Sequence, residues 1–234
     1  MGSLFKFKQF EVEQADCAMR INTDGVLLGA ILQHPQPGKI LDIGTGTGVI
    51  AMMLAQRFSQ AMVTAVEIDG PAALRAASNF SQSPFAAQLE IKHGDITHFQ
   101  TAVRYDLIVS NPPYFVNDLK NAEDRKRIAR HAGEDFFEGL LRKVAGILAE
   151  NGKFWVILPV KQAQELVTNA VLFKLYPHRI IHVHSDASKP GFRQIICFGF
   201  GNEPLQQEKL YIYIAEGVYT QAYKDLLKDF FLAF

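Results

Sequence analysis

Short apolar runs bounded by turn residues alternate along this chain with stretches whose apolar positions recur every three or four residues. Lys39–Ile43, Met62–Glu67, Leu89–His93, Tyr105–Ser110 and Gly152–Leu158 have the length and β-branched or aromatic content of buried strands. Lys174–Val183 and Arg193–Phe200 read as two further strands, joined through a turn at Lys189-Pro190-Gly191. Val49–Phe58, Pro71–Phe80, Asp135–Ala149 and Gln162–Ala170 carry the helical period between them. Met19–Gly29 reads as a loop leading into another helix, with Thr23 or Asp24 as its cap. Strands that alternate with helices predict βαβ units and a sheet covered on both faces. In such sheets ligands bind beyond the carboxyl ends of the strands, so chemistry is expected just after Ile43, Glu67, His93 and Ser110.

Composition narrows the setting. The chain has 234 residues, 48% hydrophobic and 21% charged, enough to bury a core without disulfides or metal. No repeat, low-complexity tract or long linker breaks it, so one domain over residues 1–234 is expected, an extension over 1–38 preceding a core over 39–234. Lys+Arg and Asp+Glu number 24 each, which removes any bulk attraction to nucleic acid and leaves only local patches. The two cysteines, Cys17 and Cys197, form no CxxC or Cys/His cluster, so no metal is expected. Residues 1–10 have no apolar signal core, and no run approaches the roughly 20 apolar residues of a membrane helix. A cytoplasmic enzyme without disulfide or metal staples would show this composition, and a monomer is the expectation.

Asp42-Ile43-Gly44-Thr45-Gly46-Thr47-Gly48 closes the first long strand and opens a helix. Glycines let the backbone turn tightly and approach a ligand closely. The spacing differs from the G-x-G-x-x-G of dinucleotide sites, where a helix start receives pyrophosphate. With Asp42 inside the strand, a ligand carrying a cation and an adenosine fits better. This pattern resembles the first motif of class I, Rossmann-like methyltransferases. The resemblance implies S-adenosylmethionine as cofactor and a seven-stranded, mostly parallel sheet whose last strand is antiparallel, with helices on both faces. Gly44, Thr45, Gly46 and Gly48 would then form its cradle. Glu67 would take the ribose hydroxyls with Ile68 beside it, although neighbouring Asp69 can cap the next helix. Asp95 is placed to accept from the adenine amine, and Ile96 to pack on the ring. Taken alone, Asp95 is as readily a turn-capping residue.

Asn111-Pro112-Pro113-Tyr114 follows a hydrophobic strand directly. Two prolines fix φ and remove N–H donors while keeping carbonyl acceptors. The Asn111 side-chain oxygen and the Pro112 carbonyl can both accept from one NH₂ group. An aryl amine is a poor nucleophile because its lone pair is delocalised. Two aligned acceptors favour the tetrahedral, positively charged nitrogen that develops during attack. Tyr114 can stack on a flat target, which must be flipped out or unpaired if it is a base. Asn111 also borders the cofactor, so it belongs to both sets of candidates. The absence of a Pro-Cys pair at this turn argues against cytosine C5 chemistry. The turn itself leaves adenine, guanine and a glutamine amide open as targets.

Phe10, Gln14, Cys17-Ala18-Met19 and Thr23-Asp24-Gly25-Val26-Leu27-Leu28-Gly29, together with the glycine turn and Asn-Pro-Pro-Tyr, resemble the bacterial tRNA1(Val) adenine N6-methyltransferase family over nearly the whole chain. The resemblance implies N6-methylation of adenosine 37, in the anticodon loop of tRNA. It also implies that Thr23, Asp24 and Leu27 line the methionine part of the cofactor site, against the plainer reading of a capped helix packed on the sheet. Phosphate contacts are expected from Arg125, Lys126, Arg127 and Arg130, near Lys120 and His131, with Phe115 extending the stack. A second basic group, His178, Arg179, His182, His184, Lys189 and Arg193, is the weaker candidate, because a charge run is usually a solvated face. Tyr211, Tyr213, Tyr219 and Tyr223 read as packing residues. Release-factor glutamine methyltransferases usually carry a helical domain before the glycine turn, and only 41 residues precede Asp42 here. Guanine N2-methyltransferases of ribosomal RNA more often have Phe at the fourth turn position and a duplicated domain. A catalytically inactive RNA-binding module would not need Asp42, Glu67, Asp95 and Asn111 together.

Overall fold

A computed structural model describes residues 4–15, 20–113 and 136–234. In chain order the strands are β1 (Leu4–Lys6), β2 (Glu11–Glu13), β3 (Lys39–Ile43), β4 (Met62–Glu67), β5 (Leu89–His93), β6 (Tyr105–Ser110), β7 (Leu148–Pro159), β8 (Tyr176–His184), β9 (Gly191–Gly199), β10 (Gln206–Tyr211), β11 (Tyr213–Ala215) and β12 (Val218–Tyr219). The helices are α1 (Thr23–Ile31), α2 (Val49–Arg57), α3 (Gly70–Gln82), α4 (136–147 among the described residues), α5 (Val160–Ala170) and α6 (Gln221–Leu227).

The central sheet has eight strands in the order β10-β8-β9-β7-β6-β3-β4-β5. All adjacent pairs are parallel except those made by β9, which runs antiparallel between β7 and β8. The expected seven strands are therefore one short, and the antiparallel strand is not the last. The eighth, β10, has the sequence Gln-Gln-Glu-Lys-Leu-Tyr and exposes its first four residues at the sheet edge, so no apolar alternation announces it. Among the parallel strands, the chain leaves β3 outward through β4 and β5, then returns to β6 on the other side of β3. That reversal makes the β3/β6 boundary the switch point, where the loops diverge and leave a crevice.

Two apolar cores flank the sheet. One joins α1, α2 and α6 to the sheet through Leu27, Met52, Leu54, Trp155 and Leu227. The other packs α4 and α5 through Leu140, Val144, Phe154 and Leu166. An aromatic seam of Phe5, Phe7, Phe231 and Phe234 joins the two ends of the chain, and Lys8 Nζ donates to the carbonyls of Lys228 and Phe234. Tyr219 stacks between Tyr213 and Tyr223, so these tyrosines are packing residues as expected. Strand β7 starts four residues earlier than the sequence predicts, and its register with β6 shifts between Leu148, opposite Tyr105, and Lys153, opposite Leu107.

Candidate cofactor and methyl-transfer site

The glycine turn and Asn111 meet at the switch point. Ile43 stands opposite Ser110 in the β3–β6 register, and Ser110 Oγ donates to the Ile43 carbonyl at 3.0 Å. This buried bond ties together the ends of the two strands that lead into the glycine turn and Asn111. Gly44, Gly46 and Gly48 all have positive φ, 71°, 56° and 87°. A Cβ at Gly44 or Gly46 would meet no atom within 4 Å, so the turn opens toward the crevice. At Gly48 it would strike the Phe80 ring at 2.4 Å, which fixes that glycine by packing as well as by conformation.

Two acids lie beneath the turn. Asp42 is fully buried, its Oδ2 accepting from Thr45 Oγ1 at 2.6 Å and from the Ala51 amide at 3.1 Å, while its buried Oδ1 has no hydrogen-bond partner among the described residues. Burial pushes its carboxyl up to about 7, and the nearby Glu67 charge adds to this against the two hydrogen bonds. Glu67 Oε2 accepts from the Gly46 amide at 2.8 Å and its Oε1 from the Asp69 amide at 2.9 Å. Each Glu67 oxygen keeps a further lone pair for a ribose hydroxyl. Asp69 is the cap of α3, accepting from the Ala72 amide. Asp95 caps a short turn through the Thr97 amide at 2.8 Å, the plainer of the two roles the sequence left open. Ile68 is exposed and Ile96 buried.

The amino-terminal segment wraps onto this site. The cap of α1 is Asn22, whose Oδ1 accepts from the Gly25 amide at 2.9 Å, and neither Thr23 nor Asp24 holds that place. The cap moves one residue upstream because Asn22 has extended backbone and its side chain reaches N3. Asp24 is buried and its Oδ2 accepts from Arg193 Nε at 2.7 Å. Leu27 is fully buried in the core. A Cβ at Gly25 would lie 3.6 Å from Asn111 Nδ2, so the first turn of α1 borders the Asn111 amide. Pro112 is buried and Pro113 exposed. Cys17, Ala18, Met19, Tyr114, Phe115, Lys120, Arg125, Lys126, Arg127, Arg130 and His131 lie outside the described residues.

Sequence reasoning missed Asn79. Its side chain accepts from the Glu13 amide and donates to the Glu13 and Thr47 carbonyls, all within 3.0 Å, and so ties β2 to the glycine turn. Its signal was a polar residue on the apolar stripe of α3, among Ala72, Ala73, Ala76 and Phe80. The second basic group is largely engaged within the protein. His178 meets Lys153 and the Gly201 carbonyl, Arg179 pairs with Glu208, His184 meets the Lys189 carbonyl, and Lys189 pairs with Asp186. Burial pushes the Cys197 thiol up to about 12, which suits packing in β9 and not nucleophilic attack.

The methyltransferase small domain family matches residues 17–176, more than half of the chain. Among solved structures, a predicted O-methyltransferase from Agrobacterium tumefaciens superposes with a TM-score of 0.71 at 19% identity, covering 88% of this chain and 96% of its own. A glycopeptide N-methyltransferase complexed with S-adenosylmethionine superposes with a TM-score of 0.58 at 14% identity, covering 80% of this chain and 99% of its own. The fold, the open glycine turn and its two acids thus define a class I methyltransferase whose cofactor is S-adenosylmethionine. The open space over Gly44 and Gly46 and the buried carboxylates of Asp42 and Glu67 fit a cationic adenosyl ligand. A protein from Pedobacter heparinus is 56% identical over 234 residues, the full length of both chains, and one from Bacteroides fragilis is 41% identical over 231 residues, 97% of each. Both are named tRNA1(Val) (adenine(37)-N6)-methyltransferase, and this chain belongs to that family.

Asp42 is expected to make cofactor binding pH-dependent. Its folded pKa is raised, so its contribution to apo stability is complete below about pH 4 and lost as pH rises toward 7. A cationic ligand favours the ionised carboxylate. Cofactor affinity is therefore expected to rise across pH 6–8 with release of a proton, and Asp42→Asn to flatten that dependence. Calorimetry at pH 7 in buffers of different ionisation enthalpy measures the proton directly. Equal heats in all buffers would contradict the coupling.

Proposed function

We propose that this chain transfers a methyl group from S-adenosylmethionine to N6 of adenosine 37 in the anticodon loop of tRNA1(Val). The observation that carries the reading is the full-length relative at 56% identity that bears this activity in its name. The position of Asn111 supports it, at a β6 end that faces the glycine turn and α1.

Bound cofactor supplies an electrophilic methyl on a sulfonium. Gly44, Thr45, Gly46 and Gly48 cradle it, Asp42 sets a negative charge beneath it, and Glu67 accepts from its ribose. Ile68 and Ile96 border its adenine, Asp95 accepts from the adenine amine, and Thr23 and Leu27 sit at its methionine end, where Asp24 serves through its pairing with Arg193 and not as a direct ligand. Asn111 Oδ1 and the Pro112 carbonyl accept the two hydrogens of the target amine and turn its lone pair toward the methyl. The amine needs no strong base before attack, because its proton leaves after transfer. Pro113 holds the turn, Tyr114 and Phe115 stack on the extruded base, and Arg125, Lys126, Arg127 and Arg130 hold phosphates. No helix among the described residues is long and apolar enough to cross a membrane; action on tRNA in the cytoplasm, as a monomer, is part of the proposal.

Purified protein is expected to label unmodified bulk tRNA from methyl-labelled cofactor, with N6-methyladenosine as the product nucleoside. Methyl found only on protein, or on guanosine, would overturn the assignment.

A further inference from the structure

We propose that Arg193 is a positioning residue for methyl transfer, acting through Asp24 to hold the first turn of α1 against Asn111. The inference rests on the role given above to Asn111.

Arg193 stands opposite Pro159 in the β7–β9 register, at the carboxyl end of β7. Strand β6, which ends in the Asn111 turn, is the neighbour of β7 on the other side. From that place Arg193 Nε reaches Asp24 Oδ2 at 2.7 Å, with side-chain exposures of 24% and 9%. The pair joins residues 169 apart in sequence and fastens α1 to the sheet. Helix α1 has only nine residues and is too short to set its own position in water. Its other end is gripped by a second arginine, since Arg57 donates to the carbonyls of Gly29 and Leu32 at 2.8 Å. Two arginines therefore fix the two ends of one short helix, and the Arg193 end borders the Asn111 amide at Gly25. Asp24 in the first turn also complements the helix dipole. Arg193 Nη1 donates to the Phe192 carbonyl and its guanidinium lies over the Phe192 ring, which pre-sets its direction. A small shift in this turn misaligns the amine acceptor without touching the glycine cradle.

The test is a double-mutant cycle on the full chain with tRNA as substrate. Arg193→Gln and Asp24→Asn are each expected to lower kcat about tenfold, the double variant no further than either single one, and Arg193→Lys to recover part of the loss. KM for tRNA and Kd for S-adenosylmethionine should stay near wild type in all of them. A raised KM for tRNA in Arg193→Gln alone would make Arg193 a phosphate contact and overturn the proposal. So would a raised cofactor Kd in Asp24→Asn alone, which would make Asp24 a ligand. A lowered melting temperature with unchanged kcat at 15 °C would reduce the pair to a structural strut. Asn111→Ala runs alongside: if it keeps its turnover, the reading of Asn111 has failed, and if it loses turnover while Arg193→Gln does not, only this proposal has.

Discussion

Asn111→Ala is expected to lower methyl transfer to tRNA by about 10²–10³-fold while leaving S-adenosylmethionine affinity within a few-fold of wild type. The asymmetry follows from where the residue sits. The glycine turn and Glu67 close β3 and β4, whereas Asn111 follows β6 on the other side of β3 and borders α1 at Gly25. In the proposed mechanism, removing its side chain takes away one of two acceptors for the target amine and leaves the Pro112 carbonyl to align the lone pair alone. Single-turnover rates and equilibrium cofactor binding, measured on one preparation, separate the two effects. A loss of cofactor affinity as large as the loss of rate would show that Asn111 serves the cofactor instead of the amine.

Asn79→Ala has the second large effect, on stability and cofactor binding together. Its side chain makes three hydrogen bonds that link Glu13 to the glycine turn. The connection continues, for Gln14 Oε1 accepts from the Ile21 amide and Asn22 then caps α1 beside Asn111. Truncating Asn79 leaves buried backbone groups without partners, at a cost of about 2–4 kcal/mol. Urea unfolding followed by the fluorescence of Trp155, the single and fully buried tryptophan, measures it. Cofactor Kd should rise with the same substitution because Thr47 is freed within the turn. Unchanged stability with intact cofactor binding would mean that water replaces the amide, and that the amino-terminal segment is held without it.

The parts of the fold that buried apolar strands create were legible in the sequence. Lys39–Ile43, Met62–Glu67, Leu89–His93 and Tyr105–Ser110 are strands with the boundaries their pattern predicts; the first, second and fourth lie between parallel neighbours, and Leu89–His93 pairs with β4 at the sheet edge. The glycine turn was legible because positive φ at three alternating positions demands a residue without Cβ. Strand β10 was not, since its exposed polar edge leaves no periodic trace. The Asn22 cap was hidden by Thr23 and Asp24, two equally good cap types next to it, and only backbone geometry chose among them. Asn79 and the Asp24–Arg193 pair were out of reach for a different reason. Their partners lie 66 and 169 residues away, and no local pattern encodes such a meeting.

The seam between the chain ends has a consequence for how the protein comes into being. Lys8 finds its carbonyl partners only once residues 228 and 234 have been synthesised, and Phe5 and Phe7 find the Phe231 ring only then. A nascent chain on the ribosome can pair β3, β4, β5 and β6 well before this, since those contacts are closer in sequence. Its β1–β2 hairpin, however, lacks its contacts with the Phe231 ring until that residue has been made. The clasp around Phe5, Phe7 and Lys8 is thus completed only after the strands it lies beside have been made.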